Sequence, residues 1–505
     1  MSKQTDFSEH INNGYATKGE SIILGGAILD GEALPNTHVK IPLKTLNRHG
    51  LIAGATGTGK TKTIQVLSEQ LSSFGIPVLM MDIKGDFSGI AAKGEEKPFI
   101  TERHAKITLP YESNSFPVEL MTLSAQDGVR MRATVSEFGP VLFSRILDLN
   151  DTQAGVVSVV FKYCDDKKMP LLDLKDVKKL INYTTEKGKA EIAADYGKIS
   201  TSTTGIILRK IIELEQQGGD IFFGEKSFEI DDLMRLDENG KGYVNILRLT
   251  DIQDKPKLFS TFMLSLLAEI YQQMPEKGDA DQPELVVFID EAHLIFDQAS
   301  KALLDQIETI IKLIRSKGIG IYFVTQNPMD VPASVLAQLG LKIQHALRAF
   351  TANDRKAIKM TAENYPDTDF YETDEVLTSL GIGEAFVTAL SEKGTPTPLV
   401  ATMMRAPMSR MDVLTESEIE ASIAKSKLAK KYNEVVDRDS AYEMLNKKIA
   451  EAQEVAAEHE PENPTRKAKE EPSTAEVVGK SITKVVTSAS FIRGAFGLLM
   501  KMFKK

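Results

Sequence analysis

Leu51-Ile52-Ala53 runs directly into Gly54-Ala55-Thr56-Gly57-Thr58-Gly59-Lys60-Thr61, and an amphipathic stretch from Thr63 to Phe74 follows. An apolar strand, a glycine-rich turn and a helix in that order leave few folds open. The three glycines allow successive backbone N–H groups to curl inward around an anion. The N-terminus of the following helix adds partial positive charge at the same point. The pattern reads as a phosphate-binding loop, with Gly54, Ala55, Thr56, Gly57, Thr58, Gly59, Lys60, Thr61 and Lys62 as the candidate nucleotide ligands. Lys60 is expected to reach the β- and γ-phosphates, and the Thr61 hydroxyl to ligate Mg²⁺.

A second stretch carries complementary chemistry. Leu285 to Ile289 is a run of five apolar residues, the signature of a strand covered on both faces. Asp290 and Glu291 stand at its carboxyl end. Asp290 is the expected Mg²⁺ carboxylate, and Glu291 the general base that polarises an attacking water. His293 either relays to a partner or packs beneath the next segment. Ile319 to Thr325 reads as a further buried strand ending in Gln326, whose amide is placed to sense the γ-phosphate and orient water.

Gln344 to Phe350 reads as another strand, and Asp354 and Arg355 open the helix after it. Arg348 and Arg355 are both candidates for an arginine that stabilises charge on a transferred phosphoryl group. Asp82, Lys84, Gly85 and Asp86 end an earlier buried run, 77–83, where a nucleotide crevice would lie. Arg48 and His49 precede the loop strand and read more readily as caps than as ligands. These strands alternate with helical periodicity, so the fold class is α/β: a P-loop NTPase core of RecA-like type. The distance from Lys60 to Asp290 calls for an inserted helical subdomain.

The remaining organisation follows from periodicity and composition. Residues 1–46 carry two short strands, near 21–28 and 38–41, and read as a small N-terminal β cap. The core is expected in two parts, 47–123 and 236–410, separated by a helical insertion at 124–235. Short strands are expected near Ala105–Leu109 and Pro117–Leu120, and a hairpin around Glu392-Lys393-Gly394. Residues 411–475 read as a charged helix and flexible linker. Residues 476–505 form a basic amphipathic segment, so the C-terminal tail is helical and disordered in part.

Composition limits the function classes. Cys164 is the single cysteine of 505 residues, which excludes an internal disulfide, and with seven histidines a zinc site is not expected. The first residues lack a leader's apolar region, and no apolar run reaches transmembrane length, so a cytoplasmic location is expected. A net charge of −10 opposes diffuse nucleic-acid binding by the whole surface, though not a basic channel in an oligomer. The basic tail leaves a second class open: a nucleotide-gated scaffold docking on a partner or a membrane surface.

The chain resembles the bacterial HerA-like ATPases, of the YjgR type within the HerA–FtsK superfamily. The resemblance is carried by AGATGTGKTKTIQVLSEQLS, DIKGDFSGI, SEFGPVLFSRILDLNDTQAGVVSVVFKYCDD, FIDEAHLIF and IRSKGIGIYFVTQNPMDVPASVLAQLGLKIQHALRAFTANDRKAIK. It implies ATP and Mg²⁺ as ligands, with Lys60 and Thr61 as the Walker A pair, Asp290 and Glu291 as the Walker B pair, and Gln326 as the sensor. Arg348 or Arg355 would act across a subunit boundary. It also implies an additional-strand core in which one strand separates the P-loop strand from the Asp-Glu strand. A homo-hexameric ring with ATP sites between subunits is implied too, with duplex DNA in the channel of the translocating members. The family's nuclease-binding N-terminal barrel has no counterpart in residues 1–46, so a nuclease partner is not expected.

Overall fold

The computed structural model describes residues 3–458 except 279, 297–300, 435 and 437. The tail expected at 476–505 therefore lies outside the described residues.

Twelve strands form one sheet. They are β1 (Ser21–Leu29), β2 (Glu32–Pro42), β3 (Gly50–Ala53), β4 (Val78–Asp82), β5 (Val118–Thr122) and β6 (Val129–Arg130), then β7 (Val244–Arg248), β8 (Leu285–Ile289), β9 (Ile319–Thr325), β10 (Leu341–His345), β11 (Glu384–Thr388) and β12 (Val400–Met404). Their order is β2-β1-β12-β11-β10-β3-β9-β8-β4-β7-β5-β6. From β10 to β6 the pairings are parallel; from β10 to β2 they are antiparallel. Every residue of β3, β4, β8 and β9 is buried. Strands covered on both faces are largely apolar, which is why these four read as near-continuous apolar runs, with Asp82 and Thr325 at the carboxyl ends of β4 and β9.

The order places β9 between β3 and β8, so one strand separates the P-loop strand from the Asp-Glu strand. Ile52 of β3 lies opposite Val324 of β9, and Ile289 of β8 opposite Phe323 of β9 and Met81 of β4. In a parallel sheet all carboxyl ends emerge on one edge. The P-loop, Asp82, Asp290 and Gln326 therefore share that edge.

Several local expectations change. The strands near residues 21–28 and 38–41 are β1 and β2, which extend the main sheet at its antiparallel end. A helix, α1 (Lys3–Gly14), precedes them; its two buried apolar residues, Phe7 and Ile11, give too short a pattern to read. Ala105–Leu109 is not a strand: a helix begins with Pro98 at its first turn and ends at Lys106. The strand expected at 344–350 is β10, and it stops at His345.

The helix after the P-loop, α2 (Lys60–Ser73), buries polar residues as well as apolar ones. Glu69 accepts from the backbone N–H groups of Met408 (2.7 Å) and Ser409 (2.9 Å). The Gln65 amide donates to Ser409 Oγ (2.7 Å) and to the Arg410 carbonyl (3.0 Å), and Gln70 exchanges hydrogen bonds with Ile23 of β1. Residues four and five apart thus tie α2 to the strap 408–412 and to the sheet. Burial pushes the Glu69 carboxyl up, against the lowering effect of these donors.

The chain divides into two compact units. The first holds residues 1–130, 229–256 and 266–431, and includes the whole sheet. The second holds 131–228, 257–265 and, of the described residues beyond 431, those up to 458. It is helical: Val135–Ile146, Asp151–Lys167, Leu174–Thr185, Lys189–Asp195 and Thr201–Gln216 are its main elements, and Ala441–Glu458 belongs to it. Thr134, Asn150 and Asp173 start three of these helices with reciprocal capping boxes. Phe138, Phe143 and Phe223 stack edge-on in its core, with centroids 4.9 to 6.0 Å apart. Glu191 accepts from Tyr183 (2.8 Å) and Lys448 (2.7 Å), which fastens the helix Ala441–Glu458 to the bundle.

Candidate nucleotide site

The glycine-rich loop leaves β3 and is pinned between its two neighbour strands. Gly54 N donates to the Thr325 carbonyl at the end of β9 (3.3 Å), and Ala55 N to the Ala346 carbonyl just past β10 (2.9 Å). Gly54 has φ +149°, and a Cβ added there would sit 2.5 Å from the Cβ of His345, so only glycine fits. Gly57 has open space around it but φ +79°, a backbone reason alone for glycine. The loop ends where Thr63 N closes on the Gly59 carbonyl (3.0 Å) and α2 begins.

Lys60 is buried inside this curl. Its ammonium donates to the carbonyls of Gly54 and Ala55, the latter at 3.2 Å. Burial lowers its pKa, the charge of Lys84 lowers it further, and Glu291 and Asp290 oppose both. Thr61 is the second residue of α2, half-buried beside it. Lys62 differs from expectation: its ammonium donates to the Met411 carbonyl and to Gln65 Oε1 (3.3 Å), which makes it an anchor for the strap 408–412.

Asp290 and Glu291 follow β8, and both are buried. Burial, then the charge of Glu291, pushes the Asp290 carboxyl up to about 6. Glu291 adopts φ +47°, an uncommon conformation for a non-glycine residue, and the next residue is held by Ala292 N donating to Val324 O (2.9 Å). Its Oε1 is ion-paired with Lys84 Nζ. Its Oε2 lies 3.3 Å from His293 Nδ1 but has no hydrogen-bond partner among the described residues. Gln326 reaches the loop directly: Thr56 Oγ1 donates to its Oε1 at 3.4 Å.

Asp82 ends β4 one strand away. It accepts from the N–H groups of Gly85 (2.7 Å), Asp86 (2.9 Å) and Phe87 (3.3 Å), so its carboxylate builds a tight turn. Burial still pushes it up to about 6. Arg348 and Arg355 are exposed beyond β10, and neither side chain has a hydrogen-bond or ion-pair partner among the described residues. No hydrogen bond or ion pair among the described residues links them to Lys60, Asp290, Glu291 or Gln326. Arg48 and His49 lie at the opposite end of β3. His49 Nε2 donates to Ile311 O (2.9 Å) and its Nδ1 accepts from Ile321 N (3.0 Å), which fixes a neutral ring; burial lowers its pKa to about 4.

One residue of the site escapes sequence reasoning, and so does the partner of a second. His345 is fully buried under the loop: Nδ1 donates to the Glu384 carbonyl and Nε2 accepts from Thr63 Oγ1, both at 2.9 Å. Burial lowers its pKa to about 4, so it stays neutral beside Lys60. A histidine in an apolar strand gives no signal of a loop beneath which it wedges. Lys84 sits in a turn, and only the adjacency of β4 and β8 brings it to Glu291.

Comparison with known proteins agrees with this geometry. The family described as "Helicase HerA-like C-terminal" matches residues 28–494. The chain belongs to the helicase HerA-like family. The DNA double-strand break repair helicase HerA of Sulfolobus acidocaldarius is 20% identical over 355 residues, covering 70% of this chain and 64% of that protein. The Saccharolobus solfataricus helicase of the same name is 24% identical over 355 residues, with the same coverage. The chain thus spans just under two thirds of the length of these HerA relatives. Among solved structures, the plasmid coupling protein TrwB bound to a non-hydrolysable ATP analogue superposes with TM-score 0.53 at 15% identity, covering 82% of this chain and 96% of that one. This likeness shows a shared P-loop α/β fold.

Proposed function

We propose that the chain binds ATP with Mg²⁺ and hydrolyses it to drive movement along duplex DNA, as a homo-hexameric ring. One observation carries the nucleotide part of this reading: the glycine-rich loop, buried Lys60, the Asp290-Glu291 pair and Gln326 meet on one sheet edge. The donor set suits Mg²⁺. Asp290 is a buried carboxylate raised by its surroundings, a cost that a divalent cation removes, and the Thr61 hydroxyl supplies a second oxygen. No cluster of three or more His, Cys, Asp or Glu occurs among the described residues, which fits a metal shared with phosphates better than an all-protein cage. Bound there, Mg²⁺ would neutralise charge on the phosphate oxygens.

The chain's own groups supply the rest. Backbone N–H groups of residues 54–60 cradle the phosphates. Lys60 leaves the Gly54 and Ala55 carbonyls for the terminal phosphates. Glu291 accepts a proton from the attacking water, whose oxygen bonds to the γ-phosphorus as the bond to ADP breaks. Gln326 orients that water.

The DNA and ring parts rest on family membership and on the names of the HerA relatives. The net charge of −10 opposes DNA contact over the whole surface, and this reading places the contact in the channel of the ring. On this reading duplex DNA raises ATP turnover several-fold in a steady-state phosphate-release assay. Turnover and electrophoretic mobility both unchanged by duplex or single-stranded DNA would remove DNA as the load. The exposed, unpaired Arg348 supports a site completed by a neighbour. Mixing inactive Arg348→Ala chains with inactive Lys60→Ala chains should restore part of the turnover, because some interfaces then hold an intact Lys60 facing an intact Arg348. Mixed rings that form without rescue would make Arg348 a surface residue, and the same experiment with Arg355→Ala then decides the second candidate.

A further inference from the structure

We propose that Lys84 is a positioning residue for Glu291: its ammonium holds one carboxylate oxygen and leaves the other for the attacking water. This rests on the hydrolysis reading above. Three observations converge on it. The first is the geometry of the turn. Asp82 draws the N–H groups of Gly85, Asp86 and Phe87 onto its carboxylate, and Gly85 takes φ +80° with its Cα packed so that an added Cβ would lie 3.2 Å from Thr250 Cγ2. The turn therefore has little freedom, and it presents Lys84 from the strand adjacent to β8. The second is the ion pair itself: Lys84 Nζ binds Oε1 of Glu291, whose side chain is 8% exposed against 40% for Lys84.

The third is the state of the other oxygen. Glu291 Oε2 is buried and lacks a hydrogen bond among the described residues, although His293 Nδ1 approaches to 3.3 Å. A buried carboxylate oxygen without a donor is costly, and such atoms persist where function requires them. The positive φ of Glu291 is a second local cost at the same residue. Glu291 also stands beside Asp290, whose negative charge repels it. A cation fixed on Oε1 counters that repulsion and sets the rotation of the carboxylate. Oε2 is then the oxygen left to accept the proton of water.

The test is a double-mutant cycle on the full-length chain. Lys84→Met should lower kcat for ATP by roughly 10- to 100-fold, the cost of a misplaced catalytic group. ATP-analogue affinity, mass in solution and melting temperature should stay at wild-type values. Lys84→Arg, which keeps the charge, should recover much of the loss. Lys84→Met combined with Glu291→Gln should be within about two-fold of Glu291→Gln alone, because Lys84 acts through Glu291. Additive losses, an unchanged or faster Lys84→Met, or an analogue affinity that falls in step with kcat would each overturn the assignment. A wild-type chain that binds ATP yet never hydrolyses it would instead overturn the hydrolysis reading on which the assignment rests.

Discussion

Lys60→Ala reduces ATP turnover by roughly 100- to 1,000-fold, comparable to deletion of a preorganised charge-stabilising donor. The side chain is buried in the loop and its ammonium donates to the carbonyls of Gly54 and Ala55. Alanine removes a positive charge from the place where phosphate charge arrives, but it leaves the backbone cradle and the cap of α2 intact. Nucleotide affinity should fall as well, since the lost contact serves bound and reacting phosphate alike. The fold should survive. The loop is pinned by Gly54 N on Thr325 O, Ala55 N on Ala346 O and Gly383 N on Thr58 O, none of which involves the Lys60 side chain. Phosphate release and a thermal melt on the same preparation check both halves. Turnover within a few-fold of wild type would place the phosphates elsewhere.

Glu291→Gln gives the second large effect and a different signature. General-base catalysis contributes about 10²- to 10⁴-fold, and kcat should fall by that order. ATP binding should persist, because Glu291 faces Lys84 and His293 rather than the loop carbonyls. The amide keeps the volume of the carboxyl group, so the buried site is not opened. It also removes the negative charge that helps raise the Asp290 carboxyl. A variant that traps ATP without hydrolysing it is the expected result, read by retained nucleotide after gel filtration. Loss of binding in parallel with turnover would make Glu291 a ligand rather than a base.

The parts of this site that the sequence discloses are those whose physics is local. Strands β3, β4, β8 and β9 are apolar along most of their length, so they stand out, and the polar residues at their carboxyl ends mark the edge where chemistry collects. The loop glycines declare themselves because positive φ and the approach of His345 exclude other residues. What stays hidden depends on pairing between distant segments. β7 carries buried Asn245, whose amide donates to the carbonyls of Val78 (3.1 Å) and Leu233 (2.9 Å), and this polar residue breaks the apolar run. Lys84 reads as one charge in a turn until β4 is known to lie beside β8. Ala105–Leu109 has an alternating pattern, but the helix that Pro98 starts takes Ala105 and Lys106, and Ile107 and Thr108 form a turn. Lys62 follows the Walker lysine in the chain, yet the helical turn carries it toward Met411.

On the proposed reading, one chain's loop and its Asp290-Glu291 pair form a centre of catalytic ATP hydrolysis. The most direct measurement counts ATP bound and phosphate released together, in Mg²⁺, for the wild-type chain and for Lys60→Ala. Many phosphates released per bound nucleotide by the wild type, and none beyond background by Lys60→Ala, is the predicted result. A wild-type chain that binds ATP with Mg²⁺ and releases no more than one phosphate per chain, with or without duplex DNA, would contradict it.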